Sequence, residues 1–505
     1  MRGRLVRAAF VAGAACICGL GFAGPGSPAF AARRTTQPCP GFGRPAIAAD
    51  PGPGALRVFA IQFEQQPAEM VSAGSYRTAI DCVMRHEVAP YLVKGRPNLV
   101  VFDEDVGLET LATGPRGAKT RYLLRHGTPA CQGKPFPCET LAGLSDLDRG
   151  YSRALNYLEP RFPGLSKMLG RAFVAATDQF VRVFMGTMAH AALQYHVSLV
   201  ASNSQPPFRQ TADPRAVGAL RDPATPDVHQ VFVPTQARVY NQAFLWGPRV
   251  VHHGAPAPVA NLLADNRKVP LTSFEQALGF TAGPSSGRAA IRNLRPFHIP
   301  GTRARLGFAT SLPAFEYGSA APGHQCDDVT RTYMNCLDHL GANVLIQAEA
   351  NDGQWTGPDG SDTSELWQPL SWMGSAWRAV SDPSVHFAYA VNPMMVGNLA
   401  DTPFDGQSAI LERGRRGRTC HYVGNASFIS GQDDPALRSY AGSKPQFLAM
   451  APWVVSDRTR SALRAVGRKL AAGHVAYHYV QTALVADLPF PVDRSRRGCV
   501  IAGRS

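Results

Sequence analysis

The sequence predicts an α/β protein, because short apolar segments typical of strands alternate with longer amphipathic segments typical of helices. Helical spacing over residues 73–91 is followed by a buried-type strand over 98–102, which contains Leu-Val-Val-Phe. Helical spacing over 167–195 is likewise followed by a strand over 197–202. With 505 residues, of which 45% are hydrophobic and 17% charged, the chain is long and apolar enough to bury a large core.

Further strands are predicted over residues 57–63, 239–246, 305–310, 344–347 and 386–391. Segments rich in Pro and Gly separate several of them and are predicted to be surface loops, over 205–227, 283–301 and 352–363. Because no polar linker divides the strand series, we predict one domain over 56–505.

The amino terminus predicts export. Three arginines within the first seven residues precede an apolar run over 8–22, and Ala-Phe-Ala ending at Ala31 fits a cleavage site. We therefore predict a signal peptide over residues 1–31 and a flexible leader, rich in Pro, Gly and Ala, over 32–55. No later stretch is long and apolar enough to span a bilayer. The expected location is outside the cytoplasmic membrane, secreted or in the cell envelope, without stable membrane insertion.

The chain is basic, with a formal net charge of +14. Its arginines are scattered, and no basic stripe interleaved with aromatic residues accompanies them. This distribution favours a solvated cationic surface over a nucleic-acid-binding one.

Eight cysteines follow the predicted signal peptide, and an even number in an exported chain indicates disulfides. Cys131 and Cys138 bracket a short loop and form the pair that the sequence favours, whereas the other pairings stay open. Neither a C-x-x-C pair nor an H-E-x-x-H motif occurs, so neither a metal nor another cofactor is expected. The eight residues are Cys39, Cys82, Cys131, Cys138, Cys326, Cys336, Cys420 and Cys499.

Chemically capable side chains follow three predicted strands or lie in the loops after them. Glu104 comes just after a buried strand, where loss of water raises a carboxyl pKa and suits it to general base work. Lys268 could stabilise an oxyanion, with Glu275 orienting it. Ser311 ends the strand over 305–310, where a sharp turn would present a nucleophile. Taken singly, a turn-forming acid, a surface lysine and a strand-end serine are the commoner interpretations.

In their order along the chain, these positions resemble the carbon-nitrogen hydrolase (nitrilase) superfamily, whose members use a Glu-Lys-Cys triad to hydrolyse nitriles or amides. The resemblance runs from about Arg57 to Ile410. Beyond the triad it includes Phe-Ala-Ile-Gln at 59–62, Pro67, the helix-strand junction at 195–201, Tyr240 with Asn241, and the segments 340–347 and 404–410.

The resemblance implies a four-layer α-β-β-α sandwich of two face-to-face sheets with helices outside, followed by a carboxy-terminal extension. It also implies that Glu104 is the general base, that Lys268 binds the developing oxyanion and that Glu275 supports the lysine. The implied substrate is a small-molecule amide or nitrile. Members of the family commonly pair through the segment after the nucleophile, so the resemblance also allows a homodimer.

The nucleophile is where the chain departs from the family, because the position of the cysteine reads Ser311-Leu-Pro-Ala-Phe. Cys326 is a rival, since the family's cysteine normally lies roughly 15 residues, or four helical turns, before the glycine of the next strand motif. Cys326 lies 15 residues before Gly341, and Ser311 lies 30 before it. Continuity of the strand and the even cysteine count favour Ser311.

Three functions are therefore open. The first is an amidase that acts through an acyl-enzyme on Ser311. The second is an inactive relative that binds a small ligand, since a hydroxyl is a poorer nucleophile than a thiolate. The third is a hydrolase that uses Cys326.

Overall fold

A computed structural model describes residues 39, 41–49, 55–134, 137–351, 368–399, 401–414, 446–451, 479–493 and 499–502. The predicted signal peptide and the loop over 352–363 lie outside these residues.

Strands cover much of the described chain. In order they are β1 (Ala46–Ala48), β2 (Leu56–Gln62), β3 (Glu64–Gln65), β4 (Asn98–Val101), β5 (Ser198–Gln205), β6 (Phe208–Thr211), β7 (Val231–Pro234), β8 (Tyr240–Trp246), β9 (Leu262–Arg267), β10 (Phe297–His298), β11 (Arg305–Phe308), β12 (Val344–Ile346), β13 (Tyr389–Asn392), β14 (Val396–Leu399), β15 (Thr402–Phe404), β16 (Ala409–Glu412), β17 (Phe447–Met450), β18 (Thr482–Leu488) and β19 (Val500–Ile501).

The α-helices lie mostly between strands. In order they are α1 (Ala73–Val83), α2 (Ala118–His126), α3 (Cys138–Gly150), α4 (Ser152–Leu158), α5 (Arg171–Ala175), α6 (Thr177–Gln179), α7 (Gly186–Gln194), α8 (Pro214–Leu220), α9 (Ser273–Ala277), α10 (Gly287–Asn293), α11 (Val329–His339) and α12 (Gln368–Ser381). Turns of π-helix extend α1 over Met84–Val88 and precede α7 over Phe180–Met185.

Two seven-stranded sheets form the centre of the molecule. Sheet A has the order β1-β18-β2-β4-β5-β8-β9, and sheet B has the order β10-β11-β12-β13-β16-β17-β19. Three adjacent strands run parallel in each sheet, namely β2, β4 and β5 in sheet A and β11, β12 and β13 in sheet B. The carboxyl ends of parallel neighbours lie at the same edge of a sheet, so residues that follow these strands can meet there.

Apolar side chains from both sheets share one core. Val58 and Leu99 of sheet A belong to the same buried cluster as Leu306 and Val344 of sheet B. The two sheets therefore pack face to face, since side chains alternate between the two faces of a strand.

The opposite face of each sheet packs on helices. Phe59 and Val100 of sheet A cluster with residues of α1 and α7, and Leu345 of sheet B clusters with residues of α11 and α12. The layers are thus helix, sheet, sheet and helix, which confirms the predicted four-layer α-β-β-α sandwich.

Residues near both ends of the described chain contribute strands to sheet A. Within the predicted leader, β1 pairs in parallel with β18, and Cys39 forms a disulfide with Cys82 of α1. Within the predicted carboxy-terminal extension, β18 is fully buried and lies between β1 and β2. These strands are stabilised by pairing with each other across the chain, which local composition does not reveal.

Two predicted loops contain regular structure. The segment over 205–227 includes β6 and α8, and the segment over 283–301 includes α10 and β10. Their Pro and Gly residues lie largely at the ends of these short elements; Pro214, for example, is the first residue of α8.

The connection between β4 and β5 is much longer than a single crossover helix needs. It contains α2 to α7, and many of its apolar residues, including Leu111, Leu147 and Phe173, form a buried cluster of their own outside the two sheets.

The predicted disulfide between Cys131 and Cys138 is present. No helix of the described chain has the length and hydropathy needed to cross a membrane.

Candidate active site

Three of the predicted site residues meet in one buried ion-pair network. Lys268 directly follows β9, and its Nζ lies 2.9 Å from Oε1 of Glu104, which follows β4. The same Nζ lies 3.0 Å from Oε2 of Glu275 in α9. All three side chains are buried, with at most 9% of any of them exposed.

Asn241 in β8 ties the two carboxylates together. Its Nδ2 donates to Glu104 Oε1 and to Glu275 Oε1, each at 2.7 Å. The backbone carbonyl of Asn241 also accepts from the amide of Lys268 at 2.8 Å, which fixes the chain at the end of β9. The resemblance drew attention to Asn241 but gave it no role in the site.

Glu275 is held in place by the start of its own helix. Thr272 is the N-cap of α9 and accepts from the amide of Glu275, while Glu275 Oε2 accepts from the amide of Thr272 at 2.8 Å. This reciprocal capping box follows from the Thr-x-x-Glu spacing in the sequence. The capping box thus fixes the position of Glu275, whose carboxylate contacts Lys268.

Ser311 lies at a sharp turn after β11. Its φ is 62° and its ψ is −126°, and a short 3₁₀ helix over Leu312–Phe315 begins at the next residue. This arrangement consists of a strand, one residue at positive φ and then a helical turn. It is typical of turns that present a nucleophile at the edge of a sheet. Ser311 is 2% exposed.

The positive φ of Ser311 predicts that substitutions at this position have an unusual effect on the free energy of unfolding. A side chain at this φ is strained, at a typical cost of about 1–3 kcal/mol, and glycine relieves such strain. We expect Ser311→Gly to have a larger free energy of unfolding than Ser311→Ala by about 1 kcal/mol or more. Urea unfolding of the two variants measures the difference.

The matched control is Ser198, a buried residue of β5 in ordinary extended conformation. There glycine should be less stable than alanine by roughly 0.5–1 kcal/mol, because it loses more chain entropy on folding. If the alanine variant is more stable than the glycine variant at both positions, the backbone at Ser311 is not strained.

Sequence reasoning missed a polar chain behind Ser311. The Ser311 hydroxyl donates to Asn351 Oδ1 at 3.2 Å, and Asn351 Nδ2 donates to Glu349 Oε2 at 2.8 Å. Since Nδ2 is held by Glu349, the amide oxygen of Asn351 faces Ser311. Ala350, between the two, donates its amide to Glu104 Oε2 at 2.9 Å. The loop after β12 therefore contacts both the nucleophile candidate and the base candidate.

The electrostatics separate the two carboxylates that flank Lys268. Burial raises the pKa of Glu104, and the charge of Lys268 offsets this only in part. Burial also acts to raise the pKa of Glu275, but the charge of Lys268 and hydrogen bonds from Thr272 and Asn241 outweigh it and lower that pKa. Glu275 is thus the counter-ion of the lysine, while Glu104 is the better proton acceptor.

Lys268 itself remains cationic. Burial acts to lower the pKa of its ammonium group, but the negative charges of Glu104 and Glu275 outweigh burial and raise the pKa above its ordinary value. A fixed, water-excluded cation of this kind can stabilise negative charge on an oxygen atom.

The rival nucleophile is paired. Cys326 forms a disulfide with Cys336 of α11, and both residues belong to the apolar cluster between sheet B and its helices. A sulfur atom in a disulfide is not a thiolate and cannot attack a carbonyl. This finding corrects the alternative in which Cys326 is the nucleophile.

All four remaining predicted residues line one cavity of about 580 Å³. Glu104, Lys268, Glu275 and Ser311 share it with Asn241 and Asn351. The other walls come from the insertion between β4 and β5, from the segment that contains α9 and from the segment that contains β14 and β15. Among the described residues, no cluster of three His, Cys, Asp or Glu side chains has the geometry of a metal site.

No protein-family model and no curated protein matches the chain. Solved structures do. A double mutant of the amidase from Nesterenkonia sp. AN1 in complex with acrylamide is 12% identical, with a TM-score of 0.40, and the match covers 88% of this chain and 94% of that one. A carbon-nitrogen hydrolase from Helicobacter pylori G27 is also 12% identical, with a TM-score of 0.37, over 71% of this chain and 82% of that one.

A further mutant of the Nesterenkonia amidase, described as belonging to the nitrilase superfamily, is 13% identical, with a TM-score of 0.36, over 71% of this chain and 85% of that one. The chain is thus similar in structure to nitrilase-superfamily amidases and to a carbon-nitrogen hydrolase.

Proposed function

We propose that the chain is an exported amidase of the carbon-nitrogen hydrolase type that forms an acyl-enzyme on Ser311. The observation that carries the proposal is the buried ion pair of Glu104 and Lys268 on the wall of the cavity that Ser311 also lines. An acid with a raised pKa, a fixed cation and a hydroxyl at a positive-φ turn are the three parts that acyl transfer needs.

The first half of the reaction transfers the acyl group to the protein. Ser311 Oγ attacks the carbonyl carbon while its proton passes to Glu104 Oε2. One lone pair of Oε2 accepts from the Ala350 amide, and the other can accept the serine proton. Lys268 stabilises the negative charge that develops on the carbonyl oxygen. When the C–N bond breaks, Glu104 returns the proton to the departing nitrogen, and the acyl group stays on Oγ as an ester.

The second half regenerates the serine. A water molecule attacks the ester carbon and gives a proton to Glu104, and Lys268 again stabilises the oxyanion. Collapse breaks the ester C–O bond, Glu104 returns the proton to Ser311 Oγ, and the carboxylic acid leaves. Before the first half can begin, the Ser311 hydroxyl has to turn from Asn351 towards Glu104.

One observation favours a second candidate, an inactive relative that binds a small ligand. The Ser311 hydroxyl donates to the amide oxygen of Asn351, which is not a base. If Ser311 keeps this bond in the presence of substrate, its proton has no acceptor and the cavity only binds.

Ammonia release from a panel of primary amides, combined with intact-mass analysis after acid quenching, separates the two candidates. The amidase should release ammonia and show a mass increase that corresponds to one acyl group. Ser311→Ala should abolish the adduct and lower kcat by roughly 10³-fold or more, whereas Ser198→Ala should change neither. Binding of amides without release or adduct would favour the second candidate, and turnover that survives Ser311→Ala would rule out the serine mechanism.

A further inference from the structure

The cavity has two chemically different ends. One end carries Glu104, Lys268 and Ser311, and the rest is lined mainly by aliphatic and aromatic side chains. Much of the apolar lining belongs to the insertion between β4 and β5: Leu111 precedes α2, Leu124 lies in α2, Leu144 and Leu147 lie in α3, and Phe173 lies in α5. Further apolar lining residues lie outside the insertion, among them Leu278, just after α9, and Leu399 and Phe404, in β14 and β15.

The acids in this part of the cavity are engaged with backbone amides. Glu109 Oε1 accepts from the amide of Gln66 at 2.7 Å, and Glu139 Oε1 accepts from the amide of Thr128 at 3.1 Å. Burial and the neighbouring charge of Glu69 raise the pKa of Glu109, which favours its neutral form. Of the two acids, Glu109 thus adds little charge to the apolar part of the cavity.

We propose that the cavity selects amides whose acyl part is a long hydrocarbon chain, with the chain lying along Leu111, Leu144, Leu147 and Phe173. The inference rests on the proposed function, because it places the amide carbonyl between Ser311 and Lys268. A small polar amide would leave the apolar end of a 580 Å³ cavity unfilled.

The acyl side, rather than the amine side, fits the apolar end for a chemical reason. The nitrogen-containing product leaves when the C–N bond breaks, whereas the acyl group stays attached to Ser311 until water arrives. An apolar subsite that holds the acyl chain keeps the ester in place through both steps. A subsite for an alkylamine would instead slow its departure.

The prediction for substrates is a steep dependence on chain length. Each methylene buried in an apolar site raises affinity by about fourfold. From acetamide through butanamide and hexanamide to octanamide, kcat/KM should therefore rise by about fourfold per added methylene until the cavity is filled.

Gly143 gives a direct test of the subsite. It lies in α3 on the cavity wall, and an added Cβ would have only Thr120 Cγ2 nearby, at 3.7 Å, so a larger side chain can enter the open space. Gly143→Leu should lower the octanamide to acetamide ratio of kcat/KM by about tenfold or more, because it occupies volume that the chain needs.

Gly218 in α8 is the matched control, since an added Cβ there also has its nearest neighbour at 3.7 Å, Arg153 Nη2, and Gly218 lies outside the cavity lining. Gly218→Leu should leave the ratio unchanged. A chain-length series that is flat in the wild type, or N-octylacetamide preferred to octanamide, would overturn the inference while leaving the amidase proposal intact.

Binding in the Ser311→Ala background tests the subsite without catalysis. Calorimetric titration should show that octanamide binds far more tightly than acetamide and that adding Gly143→Leu weakens octanamide binding by about tenfold or more. If the wild type hydrolyses no amide but this pattern holds, the amidase proposal fails and the apolar subsite stands. Equal affinity for octanamide and acetamide would contradict the apolar subsite, whether or not the wild type hydrolyses amides.

Discussion

Lys268→Met should destabilise the protein strongly and abolish most of its activity. The substitution removes the cation that lies within 3.0 Å of two buried carboxylates, Glu104 and Glu275. Breaking a buried ion pair in this way costs about 3–5 kcal/mol, because the remaining charges are left without a partner. Loss of an oxyanion donor should lower kcat by a further factor of about 10²–10³. Urea unfolding and amide turnover measure the two effects.

The loss of stability should itself depend on pH. In the variant, burial without the cation raises the pKa of Glu104 further above its unfolded value, so the folded state holds a proton that the unfolded state has lost. Stability is then highest below the unfolded pKa of about 4.3 and falls as pH rises through the folded value. The variant should therefore be closest to the wild type in stability near about pH 4 and furthest from it near about pH 8.

Two variants control for other effects of the substitution. Lys167→Met replaces an exposed lysine and should change the free energy of unfolding by no more than about 0.5 kcal/mol. Lys268→Met combined with Glu275→Gln removes one of the two stranded charges and should recover part of the stability. A Lys268→Met protein as stable at about pH 8 as at about pH 4 would mean that the carboxylates are not held in a dry site.

How much of this site could be predicted differs from residue to residue. Glu104, Lys268 and Ser311 each follow a strand that apolar patterning reveals, and the order of motifs along the chain led to their joint assignment. In the structure, Glu104 and Lys268 are in direct contact, and both line the same cavity as Ser311. The Thr-x-x-Glu capping box shows why Glu275 has a fixed position, and it can be read from local spacing alone.

Asn351 and Glu349 could not be predicted in this way. In the sequence they belong to an ordinary polar turn after β12, and nothing local distinguishes them. They approach Ser311 because β11 and β12 are parallel neighbours, with Phe308 opposite Ile346, so that the loops after both strands leave the same edge of sheet B. This strand pairing is tertiary information that the local sequence does not contain. Once it is known, polar side chains a few residues beyond Ile346 are expected near Ser311.

The strands at the two ends of the fold could not be predicted from local sequence for a related reason. Residues 41–49 lack periodicity, and β1 is only three residues long. Its stability depends on pairing with β18, at the other end of the chain, and on the Cys39–Cys82 disulfide. Short edge strands whose partners are distant in sequence have no local signature.

Glu104→Gln should show whether Glu104 is the base. Burial raises the pKa of its carboxyl, so the wild-type kcat/KM should rise with pH through a value above the ordinary glutamate pKa as the carboxylate forms. Glutamine has nearly the same shape but cannot accept the serine proton, so kcat/KM should fall by about 10²–10⁴ and the acidic limb of the profile should disappear. Turnover measured between about pH 4 and pH 8 tests both expectations.

Glu275→Gln is the matched comparison, because Glu275 also lies within 3.0 Å of Lys268 and also accepts from Asn241. Glu275 is a positioning residue in the proposed mechanism, so its loss should reduce kcat/KM but leave the acidic limb in place. The limb should also move to lower pH, since removing the negative charge of Glu275 removes one of the causes that raise the pKa of Glu104. If Glu275→Gln erased the limb and Glu104→Gln kept it, the two carboxylates would have to exchange roles.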